Sequence, residues 1–230
     1  MVSVIIPTFN EKKNINKIIK RLLNIKIISE IIFVDDNSTD GTFYIIKKFF
    51  RNKKIKGYLR NSPIRDLSKS VLYGINKSNY QIIVVMDCDL QHDPKYIINM
   101  VKKLNNNKSD IVIASRFENK FFEGNLGFFR SFLSNIAIII INLILGKKSS
   151  DPLSGFFVCK KKIVSNHKKF FFKKGYKILF DIIYNGKKKI NISHQKIKFK
   201  KRTFENSKFN FKVILLFLAQ IKHTIFVVKK

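Results

Sequence analysis

A chain of 230 residues, 45% of them hydrophobic, is long enough for one α/β domain with a sizeable core and too short for two full ones. Its formal charge of +31 comes from 46 Lys and Arg against 15 Asp and Glu, and only seven of the basic residues are Arg. The Lys excess travels with many Ile, Asn and Phe, a compositional drift that spreads charge over most surfaces, so it is compatible with phosphate-rich or membrane-surface partners and does not mark a nucleic-acid reader.

The elements follow in order. Residues 2–6 are a short apolar strand closed by Pro7, and Ile15, Ile18, Ile19, Leu22 and Leu23 then repeat at helical spacing. Residues 30–34 predict a second strand ending at Asp35-Asp36. Turn-forming residues 37–42 lead into a helix expected to run through residue 50. A weaker strand at 55–59 and a helix over 68–75 come next. The apolar strand 81–86 is followed by a helix opened by Pro94 and capped by Asp93, then by a strand at 110–114. Beyond residue 150 the pattern predicts a short strand at 156–158, a helix over 175–185 and a long strand over 189–201. Repeated strand–helix units with short connections predict a doubly wound, mostly parallel sheet with helices on both faces.

Two apolar stretches, 132–145 and 213–228, are interrupted by polar residues and fall short of the ~18–20 residues of a membrane span. Each is expected either to lie flat on a bilayer or to face the core. Cys88 and Cys159 lack metal-ligand spacing and read as free thiols of a reducing compartment. No basic leader or cleavage site precedes the first strand, so a cytoplasmic location is expected.

The chemistry concentrates after the strand at 81–86, in Asp87-Cys88-Asp89-Leu90-Gln91-His92-Asp93. Alternate residues of an extended chain face the same way, so Asp87 and Asp89 are expected to project together. Their repulsion calls for a proton, a cationic side chain or a metal, unless the segment is an acidic loop open to water. In a strand–helix chain a divalent cation carrying a phosphorylated ligand is the usual answer. His92 reads as a solvent-facing or hydrogen-bonded residue.

Three segments occur in order: Val4-Ile5-Ile6-Pro7-Thr8-Phe9-Asn10-Glu11, Val34-Asp35-Asp36-Asn37-Ser38-Thr39-Asp40-Gly41-Thr42 and Met86-Asp87-Cys88-Asp89-Leu90-Gln91-His92. Together they resemble the signature of inverting family 2 glycosyltransferases, whose nucleotide-sugar-binding Rossmann-like (GT-A type) fold is the implied architecture. Ala114-Ser115-Arg116-Phe117, Ser150-Asp151-Pro152-Leu153-Ser154-Gly155-Phe156, and Phe199-Lys200-Lys201-Arg202 followed by Asn206-Ser207-Lys208 narrow the resemblance. They are similar to the polyprenyl-phosphate (dolichol-phosphate) mannosyltransferase branch, over about residues 2 to 210.

The resemblance implies roles. Pro7, Phe9, Glu11, Val34 and Asp36 would hold the base and ribose, with Asp87, Cys88, Asp89, Arg202 and Lys208 completing the nucleotide-sugar site. Asp87, Asp89 and Gln91 would bind Mg²⁺ or Mn²⁺ through oxygen. Asp89, Arg116 and Arg202 would be catalytic, and Arg116, Arg130 and Ser154 would meet the acceptor phosphate; Lys177 and Asp151 are further candidates. The chain departs from the family at Phe9, where Tyr is usual, at Asp66, where Gly is usual, at Cys88, commonly Ala, and over 117–126. A catalytic domain over 1–208 and an amphipathic helix over 209–230 are expected.

A hydroxyl acceptor needs a general base, whereas a lipid monophosphate, with a second pKa near ~6, is already anionic at neutral pH. The base and the Gln-x-x-Arg-Trp element of polysaccharide-extending relatives are missing. The implied activity is therefore metal-dependent, inverting transfer of a hexose, mannose from GDP-mannose by resemblance, to a polyprenyl monophosphate. The alternative is another donor such as UDP-glucose, or a hydroxyl acceptor. Membrane contact is expected through residues 128–146 and 209–228, or through a membrane-protein partner. A basic nucleic-acid binder and a catalytically silent sugar-nucleotide scaffold are the remaining readings.

Overall fold

The computed structural model describes residues 1–62, 64–115, 149–185, 190–198 and 211–228, with residues 139, 141, 143 and 146 between them. In chain order the elements are β1 (Val2–Thr8), α1 (Lys12–Leu23), β2 (Ile28–Asp35), α2 (Thr42–Lys47), β3 (Ile55–Leu59), α3 (Leu67–Lys77), β4 (Ile82–Val85) and α4 (Tyr96–Asn106). Then come β5 (Ile111–Ser115), β6 (Phe157–Lys160), α5 (Lys161–His167), α6 (Ile178–Tyr184), β7 (Ile192–Lys196) and α7 (Phe211–Val228). The strands form one sheet in the order β3-β2-β1-β4-β6-β5-β7. It is parallel except at β6, which runs antiparallel to both β4 and β5.

The mostly parallel sheet agrees with the apolar strand runs, because parallel strands are buried on both faces. Val4 and Ile6 of β1, Ile31 and Phe33 of β2, and Val84 with Met86 face one core with α1 and α4. Ile5, Ile32, Val34, Ile83 and Val85 face the other, against α3, α5 and α6. This strict alternation is the period of an extended chain. The outward strand order reverses between β1 and β4, and in such sheets ligands bind beyond the carboxyl ends at the reversal.

Gly74 lets α3 approach that sheet closely. A Cβ there would lie 2.5 Å from Cγ2 of Ile5 and 3.1 Å from Cγ2 of Val34. Overpacking costs about 1–3 kcal/mol, more than the ~1 kcal/mol alanine gains over glycine in a helix. Gly74→Ala is thus expected to lower the denaturant midpoint; an unchanged or higher midpoint would show that α3 shifts without penalty.

Four expected boundaries move. The helix after residue 41 stops at Lys47, because Lys48, Phe49 and Phe50 donate three residues back, to Ile45, Ile46 and Lys47, in tightening turns. The helix expected from 175 starts at Ile178, since Gly175 bonds across to α3 instead. The helix after Pro94 starts at Tyr96. Among the described residues 190–198 the long final strand is Ile192–Lys196, matched residue for residue to β5. Residues 199–201 lie outside the described residues. Among the described residues no helix is long and apolar enough to cross a membrane. The inner side of α7 packs on α6, where the rings of Phe217 and Phe180 meet edge to face at 5.6 Å.

Candidate active site

The parallel strands β1, β2 and β4 deliver Thr8, Asp35 and Val85 to one edge of the sheet, with the polar segments 8–12, 36–42 and 87–93 emerging there. All three exits contain a non-glycine residue in the left-handed region: Asn10 (φ 51°), Asn37 (φ 60°) and Leu90 (φ 62°). Asn tolerates this conformation; Leu does so only when its surroundings compel it. The Leu90 side chain is buried in the core beside Met86 and Cys88, and that anchor holds the turn between Asp89 and Gln91.

The first two exits are laced together by Asp35. Its buried carboxylate accepts from Ser38 N at 2.8 Å, Ser38 Oγ at 2.7 Å and Thr8 Oγ1 at 3.2 Å. Burial pushes this carboxyl above its ordinary range, and the Ser38 and Thr8 bonds pull only part of the way back. Asn10 N donates to Ser38 Oγ, Thr39 N donates to Asn10 Oδ1, and Glu11 N donates to Thr42 Oγ1. Asp40 accepts from Thr42 N and from Lys12 N. Although burial raises it, hydrogen bonds from Thr42 and Lys12 leave Asp40 below the usual carboxylate range. Here Asp35 and Asp40 are scaffold, and they fix the backbone on which Phe9, Glu11 and Asp36 sit.

Of the residues implied for the base and ribose, Pro7 and Phe9 are half-buried at the rim, and Glu11 is buried with Oε2 accepting from Asn14 Nδ2 at 2.7 Å. Asp36 is engaged by protein: Oδ1 pairs with the Arg60 guanidinium at 2.5 Å and Oδ2 accepts from Asp66 N at 2.6 Å. A ribose or base contact would have to share this carboxylate. Val34 does not offer its side chain to a ligand, because it is fully buried in the core beneath α3. The same holds for Cys88, which is buried in the opposite core with Met86 and Leu90.

Asp89 is buried and its Oδ1 accepts from Gln91 N at 3.1 Å, so the third implied ligand is tied to the second. The Asp87 carboxylate lies directly against the backbone of Gly155, where an added Cβ would overlap Oδ2. Two carboxylates and an amide oxygen are the hard donors Mg²⁺ and Mn²⁺ take. Among the described residues no three His, Cys, Asp or Glu side chains converge. A cation held at Asp87 and Asp89 would therefore draw on Gln91, water and ligand phosphates, a coordination such ions accept. Asp93 does not cap α4: the helix starts at Tyr96 with Lys95 before it and no side-chain capping bond, and Asp93 Oδ1 accepts from Lys95 N in the turn ahead of the helix. His92 does not face solvent: the left-handed turn at Leu90 breaks the alternation and turns the imidazole inward, 5.3 Å from the Phe156 ring.

The opposite wall is the loop before β6. Ser154 is buried and closes that loop, its hydroxyl donating to Ala114 O at 2.9 Å, so the expected acceptor-phosphate role of this hydroxyl is replaced by a structural one. Asp151 is fully buried, its N–H donating to Ser149 Oγ. His194 of β7 braces the loop: Nε2 accepts from Ser150 N at 3.2 Å and lies 3.0 Å from Ser149 Oγ. Burial holds this imidazole below its ordinary value, with Lys103 pushing the same way and Asp151 opposing. Lys177 is drawn in, its Nζ donating to Leu153 O at 3.3 Å. Arg116, Arg130, Arg202 and Lys208 lie outside the described residues.

Arg60, Arg65 and His194 are the site-shaping residues the sequence reading passed over. The guanidinium of Arg65 lies 4.3 Å from the Phe9 ring centre and 5.4 Å from that of Tyr176. Arginine scarcity, which drew notice to Arg116, Arg130 and Arg202, singles out Arg60 and Arg65 equally well.

Comparison with known proteins fits this geometry. The sequence profile described as "Glycosyl transferase family 2" matches residues 3–168. A dolichol-phosphate mannosyltransferase of Pyrococcus furiosus is 35% identical over 190 residues, covering 81% of this chain and 53% of that protein. The chain thus spans about half the length of that relative. The Saccharomyces cerevisiae dolichol-phosphate mannosyltransferase is 28% identical over 231 residues, covering 96% of this chain and 85% of the yeast protein. Among solved structures, glucosyl-3-phosphoglycerate synthase of Mycobacterium tuberculosis with Mn²⁺, UDP-glucose and phosphoglyceric acid superposes with a TM-score of 0.72 at 16% identity. That alignment covers 98% of this chain and 78% of the synthase and shows a common GT-A fold. The two carboxylates at the tip of β4, the reversal of strand order beside them and the profile match over most of the chain lead to one assignment: the chain belongs to glycosyl transferase family 2.

Proposed function

We propose that the chain transfers a hexose, mannose in the first instance, from a nucleotide sugar to a polyprenyl monophosphate with inversion at the anomeric carbon. The observation that carries this reading is the pair Asp87 and Asp89 just beyond the end of β4 in a family 2 domain, with the Asp87 carboxylate against Gly155 and Asp89 holding the backbone of Gln91. The two dolichol-phosphate mannosyltransferase relatives support the lipid-phosphate acceptor.

An oxygen of the acceptor phosphate attacks the anomeric carbon as the bond from that carbon to the diphosphate breaks, releasing a nucleoside diphosphate. The nucleophile is anionic at neutral pH, so no proton has to be removed. Asp87, Asp89 and Gln91 would hold Mg²⁺ or Mn²⁺, which when bound supplies positive charge to the diphosphate. Mn²⁺ in the Mycobacterium tuberculosis structure supports a divalent ion of this kind. Phe9 and Glu11 would meet the nucleoside, and Arg116, Arg130, Arg202 and Lys208 are proposed for the phosphates.

A bilayer surface is part of the reading. Leu215, Leu218 and Phe226, exposed at 51%, 55% and 62%, share the outward stripe of α7 with Lys222. An apolar stripe on a strongly basic chain suits peripheral contact with anionic lipid at a cytoplasmic membrane face.

The test is an acceptor and donor panel with purified protein: GDP-mannose or UDP-glucose, offered polyprenyl phosphate or the free polyprenol, with Mn²⁺ or with chelator. The expected result is mannosyl transfer to the phosphate that stops with chelator and resumes with added metal. Preferential transfer to the free alcohol would replace this reading with a hydroxyl-acceptor enzyme, and preference for UDP-glucose would replace the donor.

A further inference from the structure

Asp66 joins parts of the chain more than a hundred residues apart. Its carboxylate is buried; Oδ1 accepts from Lys69 N at 3.0 Å, capping α3, and Oδ2 accepts from Gly175 N at 3.1 Å. Gly175 O in turn accepts from Ser68 N at 2.9 Å, so two antiparallel bonds staple the 173–177 segment to the start of α3. The N–H of Asp66 donates to Asp36 Oδ2 at 2.6 Å, and the other oxygen of Asp36 pairs with Arg60. On the outer side of this joint the Arg65 guanidinium lies over both Phe9 and Tyr176. From the far side, Gln220 Nε2 of α7 donates to Lys177 O at 3.1 Å.

We propose that Asp66 is a positioning residue for donor binding: it pins the 173–177 segment so that Phe9, Arg65 and Tyr176 form one preassembled surface for the nucleotide base. This rests on the reading of the site as a nucleotide-sugar pocket and deepens it. Two aromatic faces and a planar guanidinium are the groups on which a base stacks, whatever its identity. They come from three separate segments: Phe9 from the exit of β1, Arg65 from the loop after β3 and Tyr176 from the segment before α6. Ordering such segments during binding lowers affinity, and ordering them beforehand removes that loss. Among the described residues, Asp66 is where all three are tied together: it follows Arg65, holds the residue before Tyr176 and anchors on Asp36, whose N–H donates to Thr8 O next to Phe9.

Asparagine separates the two jobs of this carboxylate. Asn caps helices as well as Asp, so Asp66→Asn retains an oxygen for Lys69 N–H, but its NH₂ group cannot accept from Gly175 N–H. Amide hydrogen exchange in the free protein is expected to quicken at least about tenfold at 174–176 with α3 still protected, as for loss of one charge-assisted hydrogen bond. Titration calorimetry with GDP and with UDP is expected to show about tenfold weaker binding of whichever nucleotide the wild type takes, with KM for the donor rising and kcat held. Tyr176→Ala, which leaves every bond of Asp66 intact, is expected to weaken the nucleotide similarly without faster exchange at Gly175; it keeps the test available should D66N fold poorly. Faster exchange with unchanged nucleotide affinity, or no change in exchange, overturns the positioning role. Wild-type protein that binds neither GDP nor UDP overturns the pocket reading itself and this proposal with it, an outcome seen before any substitution is made.

Discussion

Asp89→Asn is expected to lower transfer by on the order of 10²- to 10³-fold, the loss seen when one preorganised electrostatic partner of a reacting group is removed. The exchange is nearly isosteric, and the asparagine oxygen still accepts from Gln91 N, so the turn through Leu90 is retained. What disappears is one negative charge at the tip of β4. A divalent ion then faces one carboxylate and two neutral oxygens instead of two carboxylates and one, and its affinity falls. The variant is expected to melt within a few degrees of wild type, to need far more Mn²⁺ for half-maximal activity, and to recover only part of the rate at saturating metal. The contrast with chelation is informative: removing metal from wild type should silence transfer and be fully reversible. Undiminished transfer by Asp89→Asn at low Mn²⁺ would remove the metal-based reading of the site, whatever the acceptor.

Much of the architecture is legible in the sequence because parallel strands buried on two faces leave long apolar runs that polar exits punctuate. The apolar run 82–86 is legible because a period of two is a property of the extended backbone, and Met86, Cys88 and Leu90 still enter one core where the strand ends. The alternation ends where the backbone stops being extended. Leu90 enters the left-handed region, and from there His92 points inward although its sequence neighbours suggest a surface loop. Val34 and Cys88 were expected at the ligand through family resemblance, which transfers positions without separating backbone from side chain; both side chains are core. Long-range partners are harder still. Nothing near Asp36 announces that Arg60 and the N–H of Asp66 will fold back onto it, and nothing near Ser150 announces His194. Those pairings follow from which strand ends share an edge.

Gly155→Ala is expected to damage the site while sparing the fold. Gly155 sits between the buried Ser154 and the core residue Phe156, so its backbone is fixed from both sides. The new methyl would overlap Asp87 Oδ2 and lie 3.0 Å from Cγ and 3.2 Å from Oδ1. Of the two neighbours, the carboxylate is the one that yields more readily: it is the end of a short side chain at a half-buried position, whereas the loop is held by Ser154 Oγ on Ala114 O and by Phe156 N on Ser154 Oγ. Rotation about χ1 therefore relieves the overlap and moves the Asp87 carboxylate from its native position. An off-rotamer side chain costs about 0.5–1.5 kcal/mol, which predicts a Tm drop of only a few degrees. A misplaced metal-facing carboxylate is more damaging, since displacement of about 1 Å can lower a rate on the order of 100-fold. The expected signature is a near-native melting curve with transfer reduced about 100-fold, and a Mn²⁺ requirement shifted upward as in Asp89→Asn. Combining Gly155→Ala with Asp87→Gly, which vacates the contested space, should restore the melting temperature but not the activity, because the contact belongs to the carboxylate and the chemistry needs it in place. Full activity in Gly155→Ala would show that the position of Asp87 against this loop is immaterial to the reaction.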